Sequence, residues 1–297
     1  MNTIAWQNEQ TVATRDVSLS ITDPGFLFGV TVAERLRTFS GRIFRLAEHM
    51  QRLQQCLQIV GVSIDFEKLD AAIREVAEHN ARLLPEGSDL GITAFVTPGK
   101  NGNPTQVVHT TPLPFSDFFR QYTYGQPLHI SSVHQVPASC WPAELKCRSR
   151  MHYYLADQEV RAAHPDSRAL LLDTDGMISE ASTASVLLYR EEEGLVSPPV
   201  GKVLQSVSAD FLRGLAADRQ IPCVHRDIHP DELTAADEIL LTSTSPCVHP
   251  VTMLNDQPVG TGRPGPVFQQ LLADWSDRVG LNIQKQAERN GQPPHSP

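Results

Sequence analysis

One lysine of this chain stands where an amine could act as a nucleophile. Lys146 follows the turn-forming segment PASCWPAEL and precedes a predicted helix, whereas the other four lysines lie in polar or turn-rich stretches. Partial burial at such a junction lowers the pKa of an amine, and the neutral amine is nucleophilic. A helix-start lysine whose ammonium group reaches water is the alternative, and the local sequence alone favours it. Motifs elsewhere in the chain are therefore needed to distinguish these two roles of Lys146.

Metal ligation is not predicted. His225 and His229 lie four residues apart, as helical metal-binding pairs do, but Pro222 and Pro230 bracket them and favour a short strand or turn. The five cysteines are scattered and include no CxxC pair, so they indicate reduced thiols in a cytoplasmic protein and no zinc site.

The composition is that of a folded, acidic protein. Of 297 residues, 40% are apolar and 20% charged, and the formal net charge is −9. Without a basic stripe the chain is not expected to bind nucleic acid, although a few arginines could hold a small phosphate. MNTIAWQNEQ lacks a basic start followed by an apolar run, so we do not expect a secretory signal, and no run of about 18 apolar residues predicts a membrane span. We expect a cytoplasmic protein without membrane or nucleic-acid partners.

The elements that must position Lys146 form two predicted domains. Residues 1–115 combine amphipathic helical spacing with strand-like runs, which indicates two helices covering a sheet. Residues 116–128 are proline-containing and weakly periodic, and we interpret them as an interdomain linker. Residues 129–284 alternate short apolar strands with helices, which predicts a strand-rich α/β domain with a mixed sheet. Residues 285–297 are predicted to be a disordered tail.

Six segments of the sequence occur in the order and register of one enzyme family. They are DPGFLFGVTVAERLRTF, GRIFRLAEHMQRL, ELKCRSRMHYYLADQEV, LLLDTDGMISEASTASVLL, PPVGKVLQSVSADFL and ADEILLTSTSPCVHPV. Together they resemble the fold-type IV enzymes that use pyridoxal 5′-phosphate (PLP), the class IV aminotransferase family, which includes branched-chain and D-amino acid aminotransferases and aminodeoxychorismate lyase. The resemblance implies an α/β (α+β) fold of two domains, a small N-terminal two-layer α/β sandwich and a larger C-terminal strand-rich α/β pseudo-barrel.

The resemblance assigns the central chemistry to two residues. Lys146 matches the lysine that holds PLP as a Schiff base and moves a proton between the substrate Cα and C4′ of the cofactor. Glu180 matches the acid that hydrogen-bonds the pyridine nitrogen and keeps it protonated, so that the ring accepts electrons. Without the family pattern, Glu180 would be interpreted as an exposed turn residue.

The cofactor phosphate has its own matching residues. Arg52 matches the phosphate-binding arginine, against the alternative of a solvated helix arginine. Val207 and Ser208 match the pair at a helix start, where backbone amides and the helix dipole favour an anion; Ser208 could equally be an N-cap. Thr244 matches a hydroxyl on the phosphate, against a threonine at a strand end.

Three positions depart from the family pattern. Ser206 replaces a usual glycine, and Ser185 replaces a usual asparagine. Met151 stands where branched-chain aminotransferases carry a tyrosine near the phenolic oxygen of the cofactor; Tyr153 and Tyr154 are the nearby candidates for a substitute. None of these changes removes a group essential for Schiff-base chemistry.

The predicted activity is amino transfer from an amino acid to a 2-oxo acid, in a ping-pong cycle. The motivating feature is TSTSPCVHPV, which resembles the aminotransferase version of this segment. Phe28, Arg37, Thr97 and Ser245 align with substrate-pocket regions of relatives, and Arg37 could pair with a substrate carboxylate or with an internal acid. The preferred amino acid and its L or D configuration are left open.

Two other functions are the alternatives. Aminodeoxychorismate lyase, which releases pyruvate and forms 4-aminobenzoate, is supported by the Leu145–Arg150 spacing and the missing tyrosine at Met151. A non-catalytic PLP carrier is disfavoured, because a carrier need not protonate the ring nitrogen. By analogy with the family, a homodimer is expected.

Overall fold

The computed structural model describes residues 2–291, which form two compact units. The first unit runs to Leu113 and also includes the separate segment Leu145–Ser149. The second unit comprises Pro114–Glu144 and the chain from Arg150 onward.

The first unit is one antiparallel sheet with helices on it. Its strands are β1 Ile4–Gln7, β2 Gln10–Ala13, β3 Val32–Phe39, β4 Arg42–Ile43, β5 Leu90–Thr97 and β6 Thr105–Pro112, in the order β2-β1-β6-β5-β3-β4. Its helices are α1 Pro24–Leu27, α2 Leu46–Ile59 and α3 Phe66–Ala81.

Period-two alternation decides which face of this sheet is apolar. Leu36, Ile92 and Val108 lie in one core with the buried apolar residues of α2 and α3. The neighbours Arg35 and Thr93 pair across β3 and β5 and therefore belong to the opposite face. The predicted two-layer α/β sandwich is confirmed.

The second unit is built around a closed ring of strands. Its strands are β7 Gln126–Ile130, β8 Arg168–Leu172, β9 Ile178–Ala181, β10 Ala184–Arg190, β11 Gly194–Ser197, β12 Cys223–His225, β13 Glu238–Ser243, β14 Cys247–Leu254 and β15 Gln257–Pro258. The order β10-β13-β14-β7-β8-β9 closes on itself because β9 pairs with both β8 and β10. Closure removes two sheet edges and encloses an apolar interior. This ring confirms the predicted pseudo-barrel.

The described part of the second unit also contains six α-helices. They are α4 Phe115–Tyr124, α5 Met151–Ala163, α6 Val207–Asp218, α7 Pro230–Thr234, α8 Pro266–Val279 and α9 Ile283–Gly291. The predicted helices at 151–163, 207–217 and 267–279 are thereby confirmed to within one residue.

The predicted linker is wrong, because residues 116–128 form most of α4 and the start of β7. Phe115, Phe118 and Tyr122 repeat at helical spacing and are all buried. The Tyr122 hydroxyl donates to the Pro246 carbonyl over 2.7 Å. Pro112 and Pro114 before the helix and Pro127 after it concealed α4, which belongs to the second unit.

Two other predicted boundaries also change. The tail predicted from residue 285 is wrong as far as Gly291, because α9 buries Ile283, Gln286 and Ala287 along one face; residues 292–297 lie outside the described residues. The segment Leu145–Ser149, expected in the second domain, belongs to the first unit. The physical reason is that this segment pairs with β3.

Candidate active site

An isolated antiparallel bridge and two backbone hydrogen bonds hold the chain around Lys146 beside β3. The Ala33 N–H donates to the Lys146 carbonyl over 3.1 Å, and the Arg148 N–H donates to the Thr31 carbonyl over 2.8 Å. Cys147 forms an antiparallel bridge with Val32. These bonds attach the loop that carries Lys146 to β3, which favours a precisely placed amine.

Helix α2 lies beside the same segment. The Lys146 N–H donates to Sγ of Cys56 over 3.3 Å. Burial raises the pKa of the Cys56 thiol and keeps it neutral. Burial also lowers the pKa of His49, and the charge on Lys146 is a further, smaller cause. Lys146, Cys56 and His49 therefore form one neighbourhood in the first unit.

Arg52 is buried in an ion pair that the sequence interpretation did not anticipate. Its Nε and Nη2 atoms each donate to Glu34 over 2.7 Å, one to each carboxylate oxygen. His49 Nδ1 lies 2.8 Å from Glu34 Oε2. Burial alone would raise the pKa of Glu34, but the Arg52 guanidinium and His49 outweigh it and lower this pKa.

Glu34 was detectable in the sequence, since it is a charged residue on the apolar face of β3. The bidentate contact fixes the plane and direction of the Arg52 guanidinium. Whether Arg52 binds a phosphate remains a prediction.

Glu180 is buried in β9 of the second unit, with polar partners on both carboxylate oxygens. Oε2 accepts from the Tyr153 hydroxyl over 2.8 Å and from Gln135 Nε2 over 3.0 Å. Oε1 accepts from the Leu204 N–H over 3.3 Å. Burial, followed by the charge of Glu180, raises the pKa of Tyr153 and keeps its hydroxyl protonated as a donor. Glu180 is thus not an exposed turn residue.

A cavity in the second unit adjoins this carboxylate. Its lining includes Glu180, Ser185, Leu204, Ser206 and Arg213. Ser185 pairs directly with Glu180 in the β9–β10 hairpin. This neighbourhood is where the two family departures at 185 and 206 lie.

The predicted phosphate residues of the second unit occupy a helix start and a strand turn. Ser206, and not Ser208, is the N-cap of α6, and its side chain accepts from the Ala209 N–H. Val207 and Ser208 are consequently the first residues of the helix, whose initial amides have no intrahelical acceptor. Thr244 lies half-buried in the turn between β13 and β14. Their role as phosphate ligands stays a prediction.

The predicted substrate residues lie in dissimilar environments. Phe28 is exposed at the end of α1. Arg37 is buried with its guanidinium 4.0 Å from the ring centre of Phe39. Thr97 is buried and donates to Asp23 over 2.7 Å, a contact that organises the chain before α1. Ser245 lies half-buried in the β13–β14 turn. A substrate role for these four residues stays a prediction.

The tyrosines near position 151 are now placed. Tyr153 is the half-buried partner of Glu180, whereas Tyr154 and Met151 are exposed. Tyr153 therefore helps to position the Glu180 carboxylate, whereas the exposed side chain of Met151 does not.

The sequence interpretation missed a basic cluster on the face of the first sheet opposite α2 and α3. Arg35 donates to Thr93 over 3.2 Å and to Thr111 over 2.7 Å. Burial, then the charge of Arg148, lowers the pKa of Arg35 to about 10. Arg35 lies against Gly91, where an added Cβ would be 1.9 Å from Nη2. A glycine inside a strand was the signal for this close approach.

His109 lies beside this cluster. It pairs with Thr93 in the sheet, and burial lowers its pKa, with Arg35 and Arg148 as smaller causes. Concentrated positive charge on a sheet face favours an anionic ligand.

The fold and the buried polar groups define a family, and comparison with known proteins identifies it. The family model described as amino-transferase class IV matches residues 31–254. This chain belongs to the class IV aminotransferases, the fold-type IV family, and is an enzyme of the transaminase class.

Individual relatives share most of the length of the chain at low identity. A D-alanine aminotransferase of Bacillus licheniformis is 23% identical over 86% of this chain and 90% of that protein. A branched-chain-amino-acid aminotransferase of Pseudomonas aeruginosa is 25% identical over 96% of this chain and 95% of its own length.

Solved structures agree with the fold. A branched-chain amino acid aminotransferase of Escherichia coli superposes with a TM-score of 0.85 at 22% identity, covering 95% of each chain. The archaeal enzyme of the same name from Thermoproteus uzoniensis, solved with norvaline, superposes with a TM-score of 0.82 at 20% identity, covering 97% of this chain and 98% of that one. Among residues 2–291, no helix has both the length and the apolar character that a membrane span requires.

Proposed function

We propose that the chain is a PLP-dependent aminotransferase that moves an amino group from an amino acid to a 2-oxo acid. The observation that carries the proposal is the buried Glu180 carboxylate, oriented by Tyr153, Gln135 and the Leu204 amide. An acid fixed in this way suits a cationic ring nitrogen. Bound PLP would supply an electron sink for the carbanion at the substrate Cα.

Lys146 would hold the cofactor covalently and serve as the base. Its amine would take the proton from the substrate Cα and return it to C4′ of the cofactor. The hydrogen bonds from β3 hold the Lys146 backbone, so that the flexible part of the base is its own side chain.

The phosphate would be held by Arg52, by the amides of Val207 and Ser208, and by the Thr244 hydroxyl. Each group by itself suits a phosphate: Arg52 is a fixed guanidinium of the first unit, and Val207 and Ser208 begin a 12-residue helix of the second unit. Glu34 would act as a positioning residue that aligns Arg52.

The substrate would be recognised through its carboxylate. Arg35, with Arg148 and His109 nearby, supports this assignment, because carboxylates pair well with guanidinium groups. Arg37 stays a second candidate for the same contact. Phe28, Thr97 and Ser245 remain candidates for the pocket wall.

We further propose that the enzyme acts as a homodimer in the cytoplasm. The five cysteines all lie within the described residues and form no disulfide, as expected of a protein from a reducing compartment. The dimer rests on family analogy alone.

Borohydride reduction of the PLP-loaded protein, followed by peptide mapping, tests the covalent link. We expect the coenzyme on Lys146, no labelling in Lys146→Ala, and unchanged labelling in the control Lys68→Ala, whose ammonium pairs with Glu9 on the surface. Label on another side chain would overturn the assignment.

Amino transfer itself is tested with L and D amino donors and 2-oxoglutarate. Transfer from at least one donor supports the proposal. Pyruvate release from aminodeoxychorismate without any amino acceptor would instead identify the lyase.

A further inference from the structure

Two histidines and an aspartate meet on the second unit, at a place that the proposed transamination does not use. His129 lies on β7, His164 follows the last residue of α5, and Asp256 lies in the turn between β14 and β15. Within residues 2–291, no other group of three potential metal ligands comes as close together. We propose that these three side chains bind a divalent transition-metal ion of the zinc type.

The distances suit a shared ion. His129 Nε2 lies 3.3 Å from Asp256 Oδ1, and His164 Nδ1 lies 3.6 Å from the same oxygen. Bonds of about 2.0–2.1 Å in a tetrahedral zinc site separate the ligand atoms by about 3.3 Å. Two imidazole nitrogens with one carboxylate oxygen form a ligand set that such ions accept.

The fold holds the aspartate against the first histidine. The side-chain oxygen of Asn255 accepts from the Ile130 N–H over 2.9 Å, and the Asn255 N–H donates to the Leu128 carbonyl over 2.9 Å. These bonds flank His129 on β7. Asn255 and Asp256 both have positive φ, at 47° and 62°, which these residue types tolerate in a hairpin turn.

The ring of His129 is already oriented as a ligand. Its Nδ1 lies 3.0 Å from Ser167 Oγ, and its side chain is 12% exposed. Nε2 is buried and makes no hydrogen bond, although Asp256 is close to it. When Nδ1 donates to Ser167, the lone pair of Nε2 points towards a carboxylate, an arrangement that a bound cation stabilises.

His164 is the ligand that must adjust. Its ring is stacked on His129, with centroids 3.6 Å apart and an interplanar angle of 18°. Parallel rings direct their lone pairs side by side, so the ring of His164 has to turn towards Asp256. Its side chain is 35% exposed and has room to turn. Asp256 is 69% exposed, which leaves space for a water molecule as the fourth ligand.

The ion would cross-link three elements: the end of α5, strand β7 and the β14–β15 turn. It is separate from the acid of the candidate active site, because Tyr153 precedes His164 by about 16 Å of helix. The inference therefore goes beyond the proposed transamination and does not depend on it.

Metal titration of the full-length, tag-free, PLP-loaded protein tests the site. After dialysis against a chelator, Zn²⁺ is added in a calorimeter and Co²⁺ in a visible-absorption titration. We expect one ion per chain, a four-coordinate Co²⁺ spectrum, and a higher melting temperature with Zn²⁺. Absence of saturable binding in both titrations would overturn the proposal.

Variants locate the ion. His129→Gln, His164→Gln and Asp256→Asn should each weaken binding by at least about tenfold, and Ser167→Ala by about tenfold through loss of ring orientation. Asp256→Asn keeps the turn, because asparagine adopts the same positive φ. Circular dichroism of each variant verifies that it is folded.

Two control variants exclude other ligands. His79→Gln, an exposed histidine of the first unit, and Cys140→Ser, an exposed thiol, should bind the ion as the wild type does. Unchanged affinity in Asp256→Asn, or loss of binding only in Cys140→Ser, would place the ion elsewhere and overturn the proposal.

Discussion

Replacing Glu34 with glutamine should destabilise the first unit strongly, because it leaves the Arg52 guanidinium buried beside a neutral partner. The Glu34 side chain is 1% exposed and that of Arg52 is 9% exposed, with two charge-assisted hydrogen bonds between them. Removing one partner of a buried ion pair costs about 3–5 kcal/mol. The amide keeps the shape of the carboxylate, so the change reports mainly on charge.

Urea unfolding of the apo-protein, followed by circular dichroism, measures this cost. The matched control is Asp70→Asn, which breaks the largely exposed Arg74–Asp70 pair on α3. Such a pair contributes about 0.3–0.5 kcal/mol. A double-mutant cycle with Arg52→Met separates the pairwise term from the effects of the single substitutions.

The free energy of unfolding lost in Glu34→Gln should depend on pH in a defined direction. The pKa of Glu34 is lowered in the folded chain, so its contribution is complete above its unfolded pKa of about 4.3 and decreases as pH falls further. The stability difference between wild type and Glu34→Gln should therefore be largest near neutrality and should shrink below about pH 4.

The cofactor provides a second check on the same substitution. If Arg52 also contacts the cofactor phosphate, saturating PLP should offset part of the loss in Glu34→Gln. A Glu34→Gln effect no larger than that of Asp70→Asn at neutral pH would refute the reasoning about the buried pair.

Two further substitutions test one candidate residue in each unit. Tyr153→Phe removes a hydrogen bond to the buried Glu180 carboxylate, and such a bond to a charged group contributes about 1.5–3 kcal/mol. The kcat/KM for amino transfer should therefore fall by about 10- to 100-fold. An unchanged kcat/KM would exclude a positioning role for Tyr153. Gly91→Ala places a methyl group 1.9 Å from Arg35 Nη2 and should raise KM for the amino acid, as steady-state kinetics will measure. The control Gly214→Ala in α6, where an added Cβ meets nothing within 4 Å, should leave KM unchanged, and equal effects of the two alanines would contradict the assigned role of Arg35.

Local sequence patterns predicted much of the fold. The spacing of apolar residues along α2 and α3 placed two helices on one sheet face, and α5, α6 and α8 were located to within one residue. These predictions succeeded because helix periodicity and strand alternation depend on neighbours a few residues apart. The same approach failed at α4, because the nearby prolines suggested a linker although Phe115, Phe118 and Tyr122 follow helical spacing and are buried.

The ordered motifs around Lys146, Glu180 and Ser208 were sufficient to indicate the family, since each motif lies within a short stretch of chain. Only the tertiary structure revealed that the Lys146 segment pairs with β3, that Arg52 is neutralised by Glu34, and that Tyr153 donates to Glu180. It alone also brought His129, His164 and Asp256 together from three separate elements. Such pairings join residues at least 18 positions apart, and they depend on register and chain closure, which no local pattern encodes.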